Sequence, residues 1–497
     1  MSAPTVLAYG DRALLVELGG TERVVAWVDA LRRLGVAGVA DLVPAAETVL
    51  VVADEGVDVR VLRAALAAVV PGAAGALPSD GDVVEIPVTY DGPDLADVAR
   101  HTGLSEGEVV AAHSGALWRV AFGGFAPGFA YLVGDDDRLH VPRRDSARTA
   151  VPAGAVALAG DYSGVYPRES PGGWQLIGTT DLRMWDLDRD PPALLRPGGR
   201  RPLRAGGPAV TGRLRVLSPG PLCLVEDLGR SGVSGIGVGR SGAADRAALR
   251  LANRALANPE GAAALEVTLG GLELEVVAGP VWLCVTGAPT PVSIDGREVG
   301  PFAVVAAAEG SVVRLGMPPT GLRSYVAVRG GVDAPAVLGS RSHDVMAGLG
   351  PAPLAAGVEL GVGVPPRSQP HVDHLPPGRT SEEVVLGVVR GPRDTWVADA
   401  DLLVATSWTA SERSNRVGMR LSGGRLEHVD PGRQLPSEGV YRGGIQVPPS
   451  GEPVLFLADH PVTGGYPVIA VVVDADVDRA AQVRPGQCVR FCWVAAP

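Results

Sequence analysis

The chain has 497 residues, a net charge of −11, and 46% apolar against 20% charged residues, which is the composition of an ordinary globular protein. This length is too great for one hydrophobic core and predicts three or four domains. The acidic balance argues against a nucleic-acid partner, because phosphate binding requires a basic face.

The sequence contains no apolar run of about 18 residues, so no membrane-spanning helix is expected. The N-terminal stretch MSAPTVLAYGDRALLVEL lacks the basic-then-apolar order of a signal peptide. The four cysteines are too scattered for a disulfide framework or a zinc site. Together these features predict a reduced cytoplasmic protein.

Lysine is absent from the sequence, so all 44 basic residues are arginine. A GC-rich genome, which favours arginine codons, is the simplest cause of that composition. Whatever its cause, the absence excludes a phosphate-loop lysine, a Schiff-base lysine and a biotinylated lysine on this chain.

Residues 1–82 alternate strand and helix patterns and predict a small α+β domain. Thr21 is the candidate N-cap of the first helix, and Gly35 is predicted to end it. The other predicted elements are strands over 13–18 and 48–52 and a second helix over 59–70.

Residues 83–198 contain short apolar strands separated by Gly/Pro turns, which predicts a β-barrel or sandwich. The predicted elements are strands over 83–89 and 156–159 and helices over 95–102 and 106–114. Asp94 is a candidate cap for the first of these helices. Residues 199–213 are rich in Gly, Pro and Arg without periodicity and are predicted to be a linker.

A further β-rich unit is predicted over 214–370, with one clear helix over 244–257 that has Asp245 in its first turn. A linker is predicted over 371–382 and a last β-rich unit over 383–497. The chain is therefore expected to be mainly β with a small α+β domain at its N-terminus.

The densest candidate motif of the first half is FGGFAPGFAY, residues 122–131. Its glycines, Gly128 among them, permit the positive φ of a ligand-binding loop and leave backbone N–H groups open. Phe125 can wall a pocket there. A glycine-rich barrel turn with aromatic core residues is the alternative interpretation.

Farther along, His140, Arg143, Arg144 and Tyr166 stand on neighbouring turns. Guanidinium groups bind carboxylates and phosphates bidentately, so the two arginines suit oxyanion recognition. A solvated basic turn would contain the same residues. If a barrel brings these turns to one mouth, they form a binding site.

In the second half, Asp227 and Arg230 either pair with each other or act as a carboxylate base and a substrate clamp. Glu266 lies on a predicted strand, where a buried carboxylate needs a partner. Asp245, at the start of the predicted helix, is a further binding candidate. Residues 237–242 match the dinucleotide pattern Gly-x-Gly-x-x-Gly, but no βαβ unit surrounds them, so Rossmann-type binding is not predicted.

Two arginine-rich motifs follow. Arg341 lies in GSRSHD, residues 339–344, whose Ser, His and Asp are too close in sequence to predict a catalytic triad. Arg416 lies in SERSNRVGMRL, residues 411–421, and is also suited to binding an oxyanion.

Asp459, His460 and Thr463 are predicted to lie at the end of an apolar strand, and a Gly-Gly turn follows. Sites are common where a strand end feeds a glycine loop, so Asp459 and His460 are the pair favoured for acid–base work. A β-turn with satisfied polar groups is the alternative. The neighbouring binding candidates are Gln446, Thr463, Gly464, Gly465 and Tyr466.

The candidate metal ligands His371, Asp373 and His374 lie close together in the predicted linker. Metal-ligating histidines normally donate their second ring N–H to a supporting partner, and none is visible here. No metal site is therefore predicted.

Ten motifs occur in a consistent order along the chain, and they resemble two components of one bacterial enzyme. Residues 1–198 contain YGDRALLVEL (9–18), GFAPGFAYL (124–132), LHVPRR (139–144), VPAGAVALAG (151–160) and YPRESPGGWQLIG (166–178). Residues 214–496 contain EDLGRSG (226–232), GRSGAADRAALRLAN (239–253), GSRS (339–342), SEGVYRGGIQVP (437–448) and TGGYP (463–467). The first half resembles the B subunit of bacterial 5-oxoprolinase, the Kip inhibitor or allophanate hydrolase subunit 1 family. The second half resembles the C subunit of the same enzyme, the Kip antagonist or allophanate hydrolase subunit 2 family.

The resemblance implies one cyclophilin-like β-barrel over 83–198 and two more over 214–370 and 383–497. It implies ATP-dependent opening of 5-oxo-L-proline to L-glutamate, with magnesium as the counter-ion of ATP and the separate A subunit of 5-oxoprolinase as partner. A homo-oligomer or a hetero-complex is expected.

For that reaction, Arg143, Arg144, Arg341 and Arg416 suit the phosphates and the substrate carboxylate, and Asp459, His460 or Asp227 suits the base for water. The same modules are similar to the carboxyltransferase region of urea carboxylases, which makes carboxyl transfer from biotin carried on another chain the first alternative. The second alternative is a non-enzymatic regulator of a sensor histidine kinase.

Overall fold

The computed structural model describes residues 4–69, 84–134, 136–196, 211–376 and 383–495. Strands outnumber helices throughout these ranges, which confirms the expected mainly β fold. Among these residues, no helix has the length and apolar character needed to cross a membrane.

A four-stranded antiparallel sheet with two helices on one face forms the N-terminal unit. Alternate strand residues point to opposite faces, so Leu14 and Val16 pack under the helices while Leu15 and Leu50 face the other way. In sheet order the strands are Thr5–Tyr9, Ala13–Glu17, Thr48–Ala53 and Val39–Pro44, and the helices are Thr21–Leu34 and Val59–Ala67.

The second unit is built on a five-stranded antiparallel sheet. One of its cores is aromatic and contains Phe122, Phe129, Tyr131 and Trp174. In sheet order the strands are Gln175–Thr179, Ala155–Ala159, Tyr162–Val165, Ala130–Val133 and Arg119–Gly123, with a separate pair, Ser170–Gly172 and Arg148–Val151. Its helices are Leu95–Thr102, Glu106–Gly115 and the short 3₁₀ turn Asp137–Leu139.

The third unit has sheets of seven and five strands that share one core. The helix Arg246–Ala255 packs on the other face of the five-stranded sheet, against Cys284, Tyr325 and Ala327. The first sheet runs Arg297–Glu298, Val292–Ile294, Val312–Leu315, Leu272–Ala278, Gly212–Pro219, Glu359–Val362 and Val332–Asp333. The second runs Leu222–Glu226, Ala264–Thr268, Arg323–Val328, Val281–Gly287 and Val304–Ala307, and a 3₁₀ turn spans Ser234–Ile236.

The last unit is a closed barrel of seven strands, which a parallel pair completes. Its strands, in order, are Val384–Arg390, Val468–Val472, Gly444–Gln446, Val454–Phe456, Gly418–Ser422, Trp408–Ala410 and Cys488–Trp493. A small pair, Glu438–Gly439 and Thr463–Gly464, lies beside it. Its helical segments are Asp394–Trp396, Leu402–Ala405 and Asp474–Ala480.

One predicted helix cap is wrong, and a second, Asp94, stands at its predicted position without the capping hydrogen bond. Gly20 stands at the N-cap of the first helix, and the hydroxyl of Thr21 instead donates to the carbonyl of Ala46 at 2.9 Å. Asp94 makes no cap bond with its helix, because its buried carboxylate accepts hydrogen bonds from Arg144 and other donors. A polar side chain near a helix start caps it only when no tertiary partner competes.

Two further predictions, the strand over 83–89 and the place of Asp245 in its helix, differ from the structure. The strand predicted over 83–89 does not form over its described residues 84–89, where one isolated bridge joins Thr89 to Thr179; Pro87 lacks the N–H that a ladder needs. Asp245 is the N-cap of its helix rather than a member of the first turn, and accepts from the backbone N–H of Ala248 at 2.9 Å.

The predicted linkers lie partly outside the described residues. Residues 199–210 and 377–382 belong to that undescribed part, whereas residues 212–213 already belong to the strand Gly212–Pro219. His374 pairs with Ala303 in an isolated bridge.

The C-terminal barrel covers the second face of the N-terminal sheet. Leu15 and Leu50 share one buried cluster with Val440, Val462 and other barrel residues. We call the contact between residues 4–196 and residues 211–495 the seam. Because its core is apolar and continuous, the seam holds the two halves in one arrangement.

Candidate functional site at the seam

The glycine-rich loop 122–131 meets the second half by close backbone contact. A Cβ on Gly123 would lie 2.6 Å from the carbonyl oxygen of Gly235, and a Cβ on Gly237 would lie 2.5 Å from that of Ala126. Real Cβ atoms do not tolerate such distances, so glycine is required at both positions. Gly237 also has a φ of 78°, which favours glycine on its own account.

Phe125 occupies a strained position within that loop. Its φ is 63°, which is unfavourable for a bulky side chain. Its backbone N–H points to the hydroxyl of Thr463 at 3.3 Å, and Gly124 packs against the same threonine. Strain of this kind persists only where the surroundings enforce it, and here Thr463 of the barrel does so.

A small cavity of about 30 Å³ lies next to this contact, between the N-terminal sheet, the segment 231–240 and the barrel. That is room for one or two water molecules or for a small polar group. The residues that line it are Ala40, Asp41, Val43, Val52, Ser231, Ser234, Gly239, Arg240, Val440, Tyr441, His460 and Val462. Its walls therefore come from both halves of the chain.

Arg240 is the basic residue of the cavity wall. Its Nε donates to the carbonyl of Leu228 at 3.0 Å, and this is the only hydrogen bond that its side chain makes within the described part of the chain. The two terminal nitrogens of this half-buried guanidinium have no hydrogen-bond partner among the described residues.

His460 is a neutral acceptor on the same wall. Its Nδ1 lies 2.7 Å from the carbonyl of Pro461, and since a carbonyl only accepts, Nδ1 carries the proton and Nε2 does not. Burial, together with the positive charges of Arg246 and Arg442, lowers the pKa of His460 to about 4. The ring is therefore uncharged at neutral pH, and its Nε2 is unprotonated.

Tyr441 and Asp41 are two further polar residues of the lining. The Tyr441 hydroxyl makes no hydrogen bond to any other described residue, and its ring packs near that of His460. Asp41 is the acidic wall, and burial raises the pKa of its carboxyl. Its oxygens already accept from the Ser234 hydroxyl at 2.6 Å and from the Leu42 N–H at 2.8 Å.

Arg416 and Asp459 lie beyond the cavity wall in a fully buried ion pair. The Arg416 Nε and Nη2 donate to the two Asp459 oxygens at 2.8 and 2.9 Å. Ser241, whose φ of 54° is also strained, donates to Asp459 at 2.6 Å. Asp459 is 1% exposed and Arg416 is 3% exposed. A carboxylate held this way does not reach water, so its geometry does not suit the predicted base.

Glu266 and Glu226 are the other two carboxylates beside Arg416. Glu266 accepts a hydrogen bond from Arg416 and another from the Tyr325 hydroxyl at 2.7 Å, which gives the predicted buried carboxylate its partners. Glu226 lies 3.2 Å from Arg416. Burial raises the pKa of Glu226 well above its usual range, with Arg416 opposing the shift. The cluster joins the third unit to the barrel.

Asp227 and Arg341 lie in a hydrogen-bond network that is separate from the Arg416 cluster. The hydroxyls of Ser340 and Ser342 each donate to Asp227 at 2.6 Å, and the backbone N–H of Arg341 donates to it at 2.7 Å. The Arg341 side chain is 3.3 Å from Asp333. With its oxygens occupied, Asp227 orders the GSRS turn rather than facing a substrate.

Arg230 and Asp245 also serve local structure. Arg230 is 1% exposed and donates to the carbonyls of Val337 and Ser342, so it does not pair with Asp227 through a hydrogen bond. Burial and the charge of Asp478 raise the pKa of Asp245 to about 7.

The helix that follows the Gly-x-Gly-x-x-Gly pattern offers no free N-terminus. Asp245 accepts from Ala248 N–H, and Asp478 accepts from the N–H groups of Arg246 and Ala247, each at 3.1 Å. Carboxylates thus occupy the positions that a phosphate would take in a dinucleotide site.

The first half separates its predicted binding residues. His140 pairs with Asp161 at 2.5 Å on the surface, with 64% of the His140 side chain exposed. Arg144 is bound to Asp94 at 2.6 Å. Burial would raise the pKa of that carboxyl, but Arg148, a backbone N–H and Arg144 together lower it. Neither His140 nor Arg144 is therefore available at the seam.

Arg143 and Tyr166 lie closer to the glycine loop. Arg143 is exposed, and no other described residue forms an ion pair or a hydrogen bond with its side chain. Its charge acts on Tyr131 and on Tyr166, whose pKa burial raises to about 12. Tyr166 itself is buried against Phe125 and Phe129.

The glycine turn after His460 lies at the edge of the seam. Gly464 packs on the amide of Gln446, which donates to the carbonyl of Tyr466 at 3.3 Å. Tyr466 is 46% exposed. Gly465 is half-buried. Of this group, Thr463 is the residue that touches the glycine loop of the first half.

Comparison with known proteins places both halves in one family. A family model described as carboxyltransferase domain, subdomain A and B, matches residues 236–493, which is more than half of the chain. A second, described as carboxyltransferase domain, subdomain C and D, matches residues 4–195. The chain belongs to the carboxyltransferase domain family.

Two relatives match successive parts of this carboxyltransferase-family chain. It is 33% identical over 293 residues to the C subunit of 5-oxoprolinase from Escherichia coli (strain K12), a match that spans 56% of this chain and 90% of that protein. It is 53% identical over 126 residues to the B subunit of 5-oxoprolinase from Escherichia coli O157:H7, spanning 25% of this chain and 58% of that protein. The resemblance to both 5-oxoprolinase components is thus confirmed, although the second match covers less than two thirds of the B subunit.

A solved structure shares the whole arrangement. The crystal structure of TTHA0988 superposes with a TM-score of 0.85 at 34% identity and covers 97% of this chain and 99% of that one. The likeness extends across both halves, so the seam belongs to a fold that the two chains share.

Sequence reasoning missed the residues that give the cavity its character. Arg240 lies in the motif GRSGAADRAALRLAN and Tyr441 lies in SEGVYRGGIQVP, yet nothing local distinguishes either from its neighbours. Asp41 and Ser234 carry no motif signal at all. Membership of a long motif is the one signal that points to Arg240 and Tyr441, whereas Asp41 depends on a contact that no local pattern reveals.

The linker residues His371, Asp373 and His374 form no metal site. Across the described ranges, no group of three His, Cys, Asp or Glu side chains is placed to hold an ion.

Proposed function

We propose that this chain is a fused B and C component of an ATP-dependent 5-oxoprolinase, which opens 5-oxo-L-proline to L-glutamate together with a separate A subunit. The single observation that carries the proposal is that one chain matches a relative named as the C subunit over 56% of its length and a relative named as the B subunit over 25% of its length. The seam supports it, because a cavity whose walls come from both halves requires both to be present.

The chemistry sets clear demands on the site. A lactam is inert, so ATP would phosphorylate its oxygen and leave as ADP. Water would then attack the activated ring carbon, the ring C–N bond would break to free the amine, and a second water would hydrolyse the resulting acyl phosphate to glutamate and inorganic phosphate. Such catalysis depends on positioning and on cations placed against the developing charge. Arg240 and Arg143 meet that demand in this chain, because their guanidinium groups are not taken up by carboxylates among the described residues.

His460 is the residue that we propose to orient the lactam N–H. It lines the cavity, and its unprotonated Nε2 is a hydrogen-bond acceptor. Asp459, by contrast, is proposed to hold the wall through Arg416 and Ser241 rather than to act on water.

ATP enters this proposal as a co-substrate, with magnesium as its counter-ion. The chain has no lysine, and the helix after the glycine pattern has its N–H groups occupied, so phosphate recognition falls to arginine and to the A subunit. Arg143 is the candidate on this chain, since it is exposed beside the glycine loop.

The test is ADP release that depends on 5-oxo-L-proline. We expect it when the purified chain is mixed with the A subunit and not with either component alone, with glutamate formed in step with ADP. Pyrrolidin-2-one, which lacks the carboxylate, serves as the control substrate. Absence of ADP release from the reconstituted mixture would refute the proposal.

The family description favours one second candidate, a carboxyltransferase that uses carboxybiotin on another protein. The chain cannot carry biotin itself because it has no lysine. Transfer of labelled carboxylate from a carboxylated biotin carrier to a urea-type amide, without ATP consumption by this chain, would select this candidate over the first.

A further inference from the structure

Two lining residues of the seam cavity keep unpaired hydrogen-bond donors. Arg240, on the segment 231–240, has both terminal nitrogens without a partner among the residues described, and the Tyr441 hydroxyl, in the barrel unit, is also unpaired within those residues. On the N-terminal sheet, Asp41 already accepts from Ser234 and from Leu42. The unpaired donors therefore belong to the second half of the chain.

The surroundings of Arg240 add to the positive potential. Arg246 is 6% exposed, its Nε has no hydrogen-bond partner within the described structure, and its nearest carboxylate, Asp474, is 3.8 Å away. Arg442 is 3% exposed, sits 3.3 Å from the same Asp474 and donates to Asp478 at 2.8 Å. Burial, together with the charges of Arg442 and Arg240, lowers the pKa of Arg246 to about 10. Arg246 is thus the incompletely paired arginine beside Arg240, and its charge favours an anion nearby.

The space suits an anionic group of limited size. A cavity of about 30 Å³ accepts the volume of one or two waters, which is the volume of a carboxylate but not of a nucleotide. Val52, Val440 and Val462 are among the apolar residues of the wall.

We propose that this cavity binds the carboxylate of a small amide substrate, with Arg240 and Tyr441 as donors to it and His460 Nε2 as acceptor for the amide N–H. The identity of that substrate as 5-oxo-L-proline rests on the function proposed above. Arg240, Tyr441 and His460 are thereby assigned as substrate-binding residues.

The experiment measures binding apart from turnover. Isothermal titration of the full chain with 5-oxo-L-proline is compared with pyrrolidin-2-one, which keeps the ring amide and lacks the carboxylate. We expect Arg240→Gln to weaken 5-oxo-L-proline binding at least about tenfold and Tyr441→Phe about threefold, since charge-assisted hydrogen bonds are the stronger ones. Neither substitution should change the weaker binding of pyrrolidin-2-one.

Arg413→Gln is the matched control. Arg413 is an exposed arginine of the same half, 71% exposed and 3.8 Å from Glu452, and its replacement should leave both titrations unchanged. Tyr441→Phe retains the ring, so it reports on binding even if Arg240→Gln unfolds part of the chain, and melting curves of all variants show which case applies.

Kinetics with the A subunit separates the two proposals. If ADP is released and the KM for 5-oxo-L-proline rises in Arg240→Gln and Tyr441→Phe, both proposals are supported. If ADP release is normal and these variants change neither binding nor KM, the carboxylate site is overturned and the proposed function stands. If binding depends on Arg240 but no ADP is released, the proposed function is overturned and the site is supported. If the chain shows no binding and no ADP release, both proposals are overturned.

Discussion

Arg416 and Arg240 lie near the adjacent residues Asp459 and His460 respectively, and they differ in how their guanidinium groups are paired. Arg416 bonds to Asp459, the residue directly before His460, and its guanidinium is surrounded by Glu226 and Glu266. Arg240 lines the cavity with His460 and keeps its terminal nitrogens open within the described ranges. Consecutive residues thus serve a buried ion cluster and a ligand space.

The difference shows how to tell a structural arginine from a binding arginine. A guanidinium that is buried and paired has its hydrogen bonds filled, and removing one member of such a cluster leaves uncompensated charge in the interior. A guanidinium with open donors beside a cavity contributes little to the fold and leaves room for an anion. Substitutions at the two positions test that distinction.

The largest effect is expected from Arg416→Met. Removal of the central cation leaves Glu266 and Asp459 buried without their partner, which should cost about 3–5 kcal/mol of unfolding free energy. Urea unfolding followed by tryptophan fluorescence measures the change. The companion variant Arg240→Met should lose less than about 1 kcal/mol, because only one hydrogen bond is removed; equal losses in the two variants would remove the distinction.

A smaller effect is expected from Gly123→Ala at the seam. The new Cβ would lie 2.6 Å from the Gly235 carbonyl oxygen, so the two backbones must separate, at a cost of about 1–3 kcal/mol. The same unfolding measurement applies, and binding of 5-oxo-L-proline should weaken with it because the adjoining cavity shifts.

Gly107→Ala is the control for that substitution. Gly107 lies in the helix Glu106–Gly115, and an added Cβ there meets nothing within 4 Å. Alanine should stabilise the helix by up to about 1 kcal/mol. A destabilisation of similar size at both glycines would show that the seam contact is not tight.

The pH dependence of stability should carry a contribution from His460. Burial lowers the pKa of His460 from its usual 6.5 to about 4, so on acidification the unfolded chain takes up a proton that the folded chain refuses. Stability is present above the unfolded pKa and falls as the pH drops below it, by about 2 kcal/mol between about pH 7.5 and pH 5. Urea unfolding of His460→Gln at both pH values should lack this part of the loss.

His371→Gln provides the reference, since His371 is exposed. Its stability should fall with acidification as far as that of the unsubstituted chain does. If His460→Gln behaves in the same way as His371→Gln, then His460 is not held neutral by the fold.

The smallest effect is expected at an exposed ion pair across the seam. Arg250 contacts Glu55 at 2.6 Å, and the Glu55 side chain is 64% exposed. Exposed pairs contribute little after solvent screening, so Glu55→Gln should change the unfolding free energy by less than about 0.5 kcal/mol. A loss comparable to that of Arg416→Met would mean that charge alone, rather than burial, decides the cost.

The mainly β fold follows from patterns that are local in the sequence. The strand Thr48–Ala53 and the helix Thr21–Leu34, which Gly35 ends, are predictable from periodicity and end signals. The cap predicted at Thr21 is wrong because Ala46, far along the chain, accepts the hydrogen bond of its hydroxyl. Local sequence patterns identify the polar side chains, but they do not predict the tertiary hydrogen-bond partner of each one.

The candidate site shows the same limit more strongly. His460 and Thr463, which follow a strand end and precede a glycine turn, both lie at the seam. The same rule points to Asp459, which is buried against Arg416. The sequence could not distinguish these neighbours, because only tertiary contact decides which one faces the cavity.

Asp41, Arg240 and His460 belong to one polypeptide, so the two halves that form the cavity cannot dissociate into separate components on dilution. Where the B and C components are separate polypeptides, the fraction of complete sites depends on the concentration of each and on their affinity. In the fused chain the second half is always present at the high effective concentration that a covalent tether provides. Every molecule made therefore carries one full set of walls, in a fixed ratio of one to one.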